Sequence, residues 1–144
     1  MKFTDTALFA GLAVAVTLIA APAFAETVMF KATLSAAEEV PATTSKGVGM
    51  TDVTFDTATK KASWKGTYSG LSGPVPGSHF HGPAEKGKTA AVELAIEARA
   101  GPFEGMATLT DARAKDLMAG MLYVNLHTAA HADGEIRGQV VKAK

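Results

Sequence analysis

The composition of this 144-residue chain narrows its function before any motif is considered. Lys and Arg number 14 and Asp and Glu number 14, so the formal net charge is zero, and no basic patch points to nucleic acid or an anionic membrane surface as a partner. The absence of cysteine excludes disulfides, iron–sulfur clusters and blue-copper centres, because all of these need cysteine sulfur.

The N-terminal segment is typical of a cleavable signal peptide. Lys2 precedes an apolar run from Ala7 to Ala20, and Ala23-Phe24-Ala25 has the small-x-small pattern that signal peptidase recognises. We therefore divide the chain into a signal peptide, residues 1–25, and one mature domain, residues 26–144. The apolar run is short for a membrane span and no stop-transfer segment follows it, so we expect a periplasmic or secreted protein without a membrane span.

The mature part of the chain is dominated by short runs in which apolar and polar residues alternate, separated by Gly, Pro, Asp and Ser. This period of two is typical of an antiparallel sandwich or barrel. It predicts eight strands, at residues 28–34, 48–55, 62–68, 78–81, 92–97, 105–109, 122–127 and 135–140. The apolar parity changes between Met50 and Val53, which predicts a β-bulge in the second strand.

One segment departs from the strand pattern. Thr110 is a good N-cap, the residues after it are good helix formers, and Gly120 suits the left-handed cap conformation. We therefore predict one short helix near residues 110–119. Eight strands and one helix predict an all-β fold, a Greek-key antiparallel β-sandwich.

Residues 82–89 match the P-loop pattern G-x-x-x-x-G-K-[ST] letter for letter. In a P-loop, a helix starts at the Lys-Thr pair and its N-terminus binds phosphate. Here Val92, Leu94 and Ile96 alternate with other residues, which indicates a strand, and no apolar run ending in Asp supplies a second magnesium ligand. We interpret the segment as a loop and expect no nucleotide cofactor.

The four histidines, His79, His81, His127 and His131, carry the main chemical signal. His79 and His81 share one face of a strand because side chains alternate along it, and Phe80 between them faces the core. His127 lies on the non-core face of its own strand. If the two strands are neighbours, these three imidazoles converge within reach of a metal ion. Otherwise they are ordinary polar residues at strand ends.

Three neutral imidazoles are suitable ligands for copper or zinc and leave one coordination position open. We predict copper as the preferred metal, because the Irving–Williams order gives Cu(II) the highest affinity for a nitrogen site. His131 lies in the turn after His127 and is a weaker candidate for a fourth ligand, since turn residues are commonly polar without a role.

Other residues give weaker signals, and none is identified as catalytic. We interpret Glu38-Glu39 as a solvated or turn-stabilising pair and not as an acid/base couple. Glu135 and Arg137 share a strand face, where they can pair with each other or brace nearby loops. The scattered methionines are interpreted as core filler; they are Met29, Met50, Met106, Met118 and Met121.

Three motifs carry a family resemblance: His79-Phe-His-Gly-Pro-Ala84, Leu122-Tyr-Val-Asn-Leu-His-Thr128 and Gly134-Glu-Ile-Arg-Gly-Gln139. They resemble the CHRD domain family, which is named for the repeats of the extracellular protein chordin. The resemblance spans nearly the whole mature chain and implies an immunoglobulin-like or related β-sandwich in a single-domain exported bacterial protein. It places His79, His81 and His127 on recurring motif positions, but not His131.

Three functions remain open from the sequence. The first is an exported metal-binding protein that handles metal or performs redox chemistry such as superoxide dismutation; the H-x-H strand is similar to that of copper/zinc superoxide dismutase, by analogy of motif and fold alone. The second is a non-enzymatic module that binds a protein or an envelope component. The third, a hydrolytic zinc site, ranks lowest because no carboxylate is placed as a general base.

Overall fold

Short strands with the predicted period-two pattern make up most of the structure. The computed structural model describes residues 24–98 and 101–144, so the predicted signal peptide falls outside the described residues except for its last two positions. The strands and the α-helix of this part of the chain are, in order, β1 (Thr27–Ser35), β2 (Val48–Asp56), β3 (Lys61–Ser69), β4 (Gly77–His81), β5 (Val92–Ile96), β6 (Phe103–Thr108), α1 (Asp111–Met118), β7 (Tyr123–Thr128), β8 (His131–Gln139) and β9 (Val141–Lys142). For the residues that the structure describes, the prediction of an all-β fold with one short α-helix is confirmed.

The strands form one antiparallel sheet that folds over on itself. Its order is β5-β4-β7-β8-β1-β2-β3-β6, and β9 pairs with β1. The ladder between β8 and β1 is a single pair, Arg137 with Ser35, so the sheet divides there into two halves. Trp64 on β3 and Phe80 on β4 belong to different halves, yet their rings meet edge to face with centroids 5.2 Å apart. The two halves therefore face each other around the core, in a sandwich-like arrangement.

Phe80 determines which way the histidines of β4 face. It is 4% exposed and lies in the core cluster. Burying a phenylalanine side chain contributes about 1.5–3 kcal/mol, and successive strand residues point to opposite faces. The burial of Phe80 therefore holds His79 and His81 on the outer face of the sheet.

The predicted β-bulge in β2 is wrong. β1 and β2 pair in unbroken register over their whole length. Thr51 is fully buried and shares the core face with Val53 and Phe55, whereas Met50 faces solvent. The apparent change of parity arises because a threonine occupies a core position and a methionine an outer one.

The interpretation of the methionines as core filler is wrong for three of them. Met29, Met50 and Met106 are 59%, 42% and 65% exposed, respectively. All three lie on strands, and alternation places them on the outer face because their neighbours occupy the core face. Met118, in contrast, is partly buried and packs against the core.

The helix α1 begins where the sequence predicts. The Oγ1 of Thr110 accepts a hydrogen bond from the main-chain N–H of Arg113 at 3.3 Å, and Leu117 is buried. Gly120 follows the last turn with φ +72°, a conformation that favours glycine. The Nε of Arg113 donates to Glu93 on β5 at 2.6 Å. The helix thus carries the chain from β6 to β7, in the opposite half of the sheet.

Candidate metal centre

The two strands that carry the predicted ligands are neighbours in the sheet. β4 and β7 are antiparallel, with His79 opposite Asn125, His81 opposite Tyr123, and Gly77 opposite His127. Residues directly opposite each other present their side chains on the same face. All three histidines therefore lie on the outer face of this half, which is the condition that the sequence left open.

The three imidazoles converge. The Nδ1 of His79 and the Nε2 of His127 are 3.2 Å apart, and one ring nitrogen from each of His79, His81 and His127 lies within 4.8 Å of the others. Two nitrogens bound to one ion at 2.0–2.1 Å are about 3.3 to 4.2 Å apart. Movements of less than about 1 Å would therefore bring all three nitrogens onto a single ion.

Hydrogen bonds to main-chain carbonyls fix the tautomers of two histidines. The Nδ1 of His81 bonds the carbonyl of Ala90 at 3.1 Å, and the Nδ1 of His127 bonds that of Ala132 at 2.9 Å. A carbonyl oxygen can only accept, so both Nδ1 atoms carry the hydrogen and both Nε2 atoms present a lone pair. A second nitrogen anchored in this way is the usual means of orienting a metal-binding histidine.

The Nε2 of His81 is buried and has no hydrogen-bond partner. A buried polar atom without a partner costs about 1–3 kcal/mol of stability. A ligand that bonds to this nitrogen would remove that cost, which favours binding here. His79 and His127 are only half-buried. The cluster thus combines one buried nitrogen, on His81, with two half-buried side chains.

The environment favours neutral imidazoles. Burial lowers the pKa of His79 below its ordinary value, and the nearby His127 lowers it further. Burial also lowers the pKa of His81; its bond to Ala90 opposes this, and the charges of neighbouring histidines and of Arg137 reinforce it. Because the neutral ring is the form that binds metal, both residues are in a metal-competent state at neutral pH.

Tyr123 and Arg137 pack beside His81. The Tyr123 ring is stacked on the His81 ring at 4.9 Å with an interplanar angle of 3°. The guanidinium carbon of Arg137 lies 4.3 Å from the centre of the Tyr123 ring, and its Nη2 donates to the carbonyl of Lys88 at 2.9 Å. The Tyr123 hydroxyl accepts from the main-chain N–H of Ala90 at 3.2 Å. These contacts fix the position of the His81 ring.

The segment that resembles a P-loop is a loop, and the strand β5 follows it in place of a helix. The end of this segment and the residue after it support the histidine cluster, since the main-chain carbonyls of Lys88 and Ala90 accept hydrogen bonds from Arg137 and His81. The sequence could not indicate this contribution, because any residue type provides a main-chain carbonyl.

Of the two alternatives for the Glu38-Glu39 pair, solvated or turn-stabilising, the solvated one is wrong for Glu39. Glu39 is 7% exposed, whereas Glu38 forms a surface ion pair with Lys86 at 2.9 Å. Burial raises the pKa of Glu39 to about 7, although Arg137 and a hydrogen bond from the main-chain N–H of Val40 lower it. Glu39 directly follows a 3-10 turn at residues 36–38. Because it is not part of a strand, the alternation of strand residues could not predict whether its side chain is buried.

Asn125 and Gly134 complete the surroundings of Glu39. The Nδ2 of Asn125 donates to Oε2 of Glu39 at 3.5 Å, while Oε1 of Glu39 and Oδ1 of Asn125 have no partner. A Cβ at Gly134, where φ is +129°, would lie 2.5 Å from the Asn125 amide and 2.7 Å from Oε1 of Glu39. Glycine is therefore required here both for the backbone conformation and for space.

Glu135 braces loops, which is one of the two roles the sequence allowed. It is fully buried and accepts hydrogen bonds from Ser45 Oγ at 2.5 Å, Ser72 Oγ at 2.6 Å and Thr128 Oγ1 at 2.5 Å. Burial raises its pKa, but these bonds, together with the main-chain N–H of Ser72, outweigh burial and lower the pKa to about 2. Glu135 is therefore an ionised structural residue.

His131 lies outside the three-histidine cluster. The hairpin turn is shorter than expected, with only residues 129–130 between β7 and β8, so His131 is the first residue of β8 and pairs with Thr128. The structure thus brings together three of the four predicted site residues.

These observations define a class of protein: an antiparallel β-protein with three histidines clustered on the outer face of its sheet. A family model described as the CHRD domain matches residues 30–140, most of the chain. The chain belongs to the CHRD domain family, whose members are typically extracellular modules. No curated protein and no solved structure gives a significant match.

The described part of the chain, residues 24–98 and 101–144, contains no helix with the length and apolar character needed to cross a membrane.

Proposed function

We propose that this domain is an exported metal-binding protein that holds one ion through His79, His81 and His127, with copper preferred over zinc. The observation that carries the proposal is the convergence of three ring nitrogens within 4.8 Å of one another. The anchored Nδ1 atoms of His81 and His127 and the partnerless Nε2 of His81 support it.

The donor set supports copper as the preferred ion. The cluster consists of imidazole nitrogens alone, and the chain has no cysteine thiolate. Among divalent first-row metals, nitrogen sites bind Cu(II) most tightly, and imidazole is suitable for copper and zinc alike. Geometry and availability then decide between the two metals, so zinc is the alternative occupant.

The role of the ion is either metal handling or redox chemistry such as superoxide dismutation. Three protein ligands leave a position for an exogenous ligand, which a redox reaction needs. Copper-loaded protein that turns over superoxide, with loss of turnover in His81→Ala, would support the redox role. Loaded protein without activity would leave metal handling.

The test is elemental analysis of the mature protein from the exported fraction, together with copper and zinc titrations. The wild type is compared with the triple variant His79→Ala/His81→Ala/His127→Ala and with His131→Ala, a matched control outside the cluster. We expect near-stoichiometric copper in the wild type and in His131→Ala, and loss in the triple variant. Equal weak binding in all three proteins would contradict the proposal.

A protein-interaction module is the second candidate, because CHRD domains generally serve in protein interactions. The exposed side chains of Met29 and Met106 lie in one row across four strands of the other half of the sheet. Thr54 and Ser63 separate them in that row, so the exposed apolar residues here are not contiguous. This surface therefore gives the interaction hypothesis less support than the histidine cluster gives metal binding.

A further inference from the structure

The binding of an ion by three neutral imidazoles leaves the charge of that ion uncompensated. The cluster contains no carboxylate and no thiolate. Any fixed charge buried close to it therefore acts on the whole charge of the ion, and it acts twice as strongly on a divalent as on a monovalent cation.

Arg137 places such a charge beside the cluster. It is opposite Asn125, which is opposite His79, so the three residues form one row across β8, β7 and β4. The guanidinium carbon is 4.3 Å from the centre of the Tyr123 ring, which is 4.9 Å from that of His81. These distances place the positive charge within about 9 Å of the His81 ring, close enough for an appreciable Coulomb interaction.

The charge of Arg137 is poorly screened. The residue is 3% exposed, and its Nη2 donates to the main-chain carbonyl of Lys88, a neutral partner. Glu39 is the buried carboxyl whose pKa Arg137 influences, and that pKa is about 7, so at neutral pH this carboxyl carries only part of a negative charge. The guanidinium therefore contributes a positive field at the cluster that salt in solution only weakly reduces, in addition to the field of the ionised, buried Glu135 two positions earlier.

We propose, on the basis of the metal site proposed above, that Arg137 shifts the relative affinity of this site away from the divalent Cu(II) and towards a monovalent cation, Cu(I). One unit of charge at about 9 Å in a medium of effective dielectric constant 20 corresponds to roughly a tenfold to twentyfold difference in affinity. The same difference raises the Cu(II)/Cu(I) midpoint potential, since each factor of ten equals about 59 mV for one electron. Arg137 is thus the residue that shifts the balance between the two charge states of the ion.

The test compares Cu(I) and Cu(II) affinities of the mature protein, with Cu(I) measured anaerobically by competition with bicinchoninate. Ag(I) and Zn(II) serve as a redox-inert pair of the same two charges. Arg137→Gln removes the charge, Arg137→Lys retains a positive charge, and Lys65→Gln removes an exposed lysine from the other half of the sheet.

We expect the ratio of Cu(I) to Cu(II) affinity to fall about tenfold in Arg137→Gln and to change less than threefold in Arg137→Lys and Lys65→Gln. Glu39→Gln removes a partial negative charge and should raise the ratio, which gives a test in the opposite direction if Arg137→Gln does not fold. An unchanged ratio in folded Arg137→Gln would overturn the role of Arg137 while copper binding stands. If that variant does not fold, Glu39→Gln is measured at pH 8, where the wild-type carboxyl is mostly ionised, and an unchanged ratio there would overturn the claim that buried charge at this place acts on the ion. Absence of binding by all four ions in the wild type would overturn the metal site itself.

Discussion

The Nδ1 of His79 lies 3.2 Å from the Nε2 of His127, and the direction of this hydrogen bond follows from a third residue. The Nδ1 of His127 donates to the carbonyl of Ala132, so its Nε2 is the acceptor and His79 is the donor. Without metal, the two histidines are therefore joined by a proton that occupies the place of an ion.

This arrangement predicts a tautomer change at His79. If the ion binds Nδ1 of His79, the proton must move to Nε2 or leave the ring. We expect long-range 1H–15N spectra of metal-free protein near pH 7.5 to show His79 protonated at Nδ1, and saturating Zn(II) to abolish that signal pattern. His131 is the internal control and should keep its spectrum. Persistence of the Nδ1-protonated pattern at saturation would exclude Nδ1 as the ligand atom.

Tyr123 is predicted to hold His81 in position for metal. Tyr123→Leu removes the stacked ring, and residues that support a ligand typically contribute 10- to 100-fold to affinity. Tyr123→Phe keeps the stacking and loses only the bonds to Ala90, so we expect a loss of less than about tenfold. Competition titration with copper measures both. Equal losses in the two variants would show that the hydroxyl and not the stacking matters.

The raised pKa of Glu39 predicts a specific pH dependence of stability. The carboxyl has a pKa of about 7 in the folded protein and an ordinary value of 4.5, so the folded state binds the proton more tightly. Its stabilising contribution is fully present below pH 4.5 and is lost as the pH rises through 7. Between pH 5 and 8 this loss amounts to about 2–3 kcal/mol.

Glu39→Gln removes this titration. The free energy of unfolding from urea denaturation, measured for both proteins at pH 5, 6, 7 and 8, should show the wild type losing about 2–3 kcal/mol relative to the variant as the pH rises. Taking the difference cancels the titration of the histidines, which both proteins share. Parallel pH profiles would show that Glu39 titrates normally.

The lowered pKa of Glu135 predicts that stability falls as the pH decreases, which is the opposite of the effect of Glu39 and occurs at lower pH. Its pKa is about 2 in the folded protein, below the ordinary 4.5, so its contribution is present above pH 4.5 and is lost as the pH falls towards 2. The loss is about 3 kcal/mol by linkage. Acid unfolding followed by circular dichroism should begin at higher pH in Ser72→Ala, which removes one donor to Glu135, than in the wild type. Thr67→Ala, at an exposed β3 position, is the control.

Substitutions on the core face and on the outer face of the sheet should differ clearly in their effect on stability. Phe80→Ala opens a cavity between the two halves and should lower the free energy of unfolding by about 3–5 kcal/mol. Met106→Ala, at a residue that is 65% exposed, should change it by less than about 0.5 kcal/mol. Urea denaturation measures both. A small effect of Phe80→Ala would contradict its role in orienting His79 and His81.

Strand periodicity was sufficient to predict how β4 presents its histidines. Phe80 between His79 and His81 fixes the face, and alternation on β7 adds His127, so only the pairing of β4 with β7 had to come from the structure. The burial of Glu39 could not be predicted, because it follows a 3-10 turn and depends on space left by Gly134, 95 positions later in the chain.

Arg137 illustrates a second limit of sequence reasoning. Its place on a strand face was predictable, but its burial depends on the Tyr123 ring and on the carbonyl of Lys88, which lie in other elements. The methionine at position 50 shows the reverse error, since hydrophobic character suggested a core position that Thr51 occupies instead.

The antiparallel pairing of β4 with β7 has a mechanical consequence. His79 and His127 are 48 positions apart, so an ion bound by both would close a long loop of a chain that has no cysteine for a disulfide. By mass action, an ion at 100 times its dissociation constant would add about 2.7 kcal/mol to the free energy of unfolding. The melting temperature of the domain would then report how much of the site is occupied, because it would rise with the concentration of the free ion.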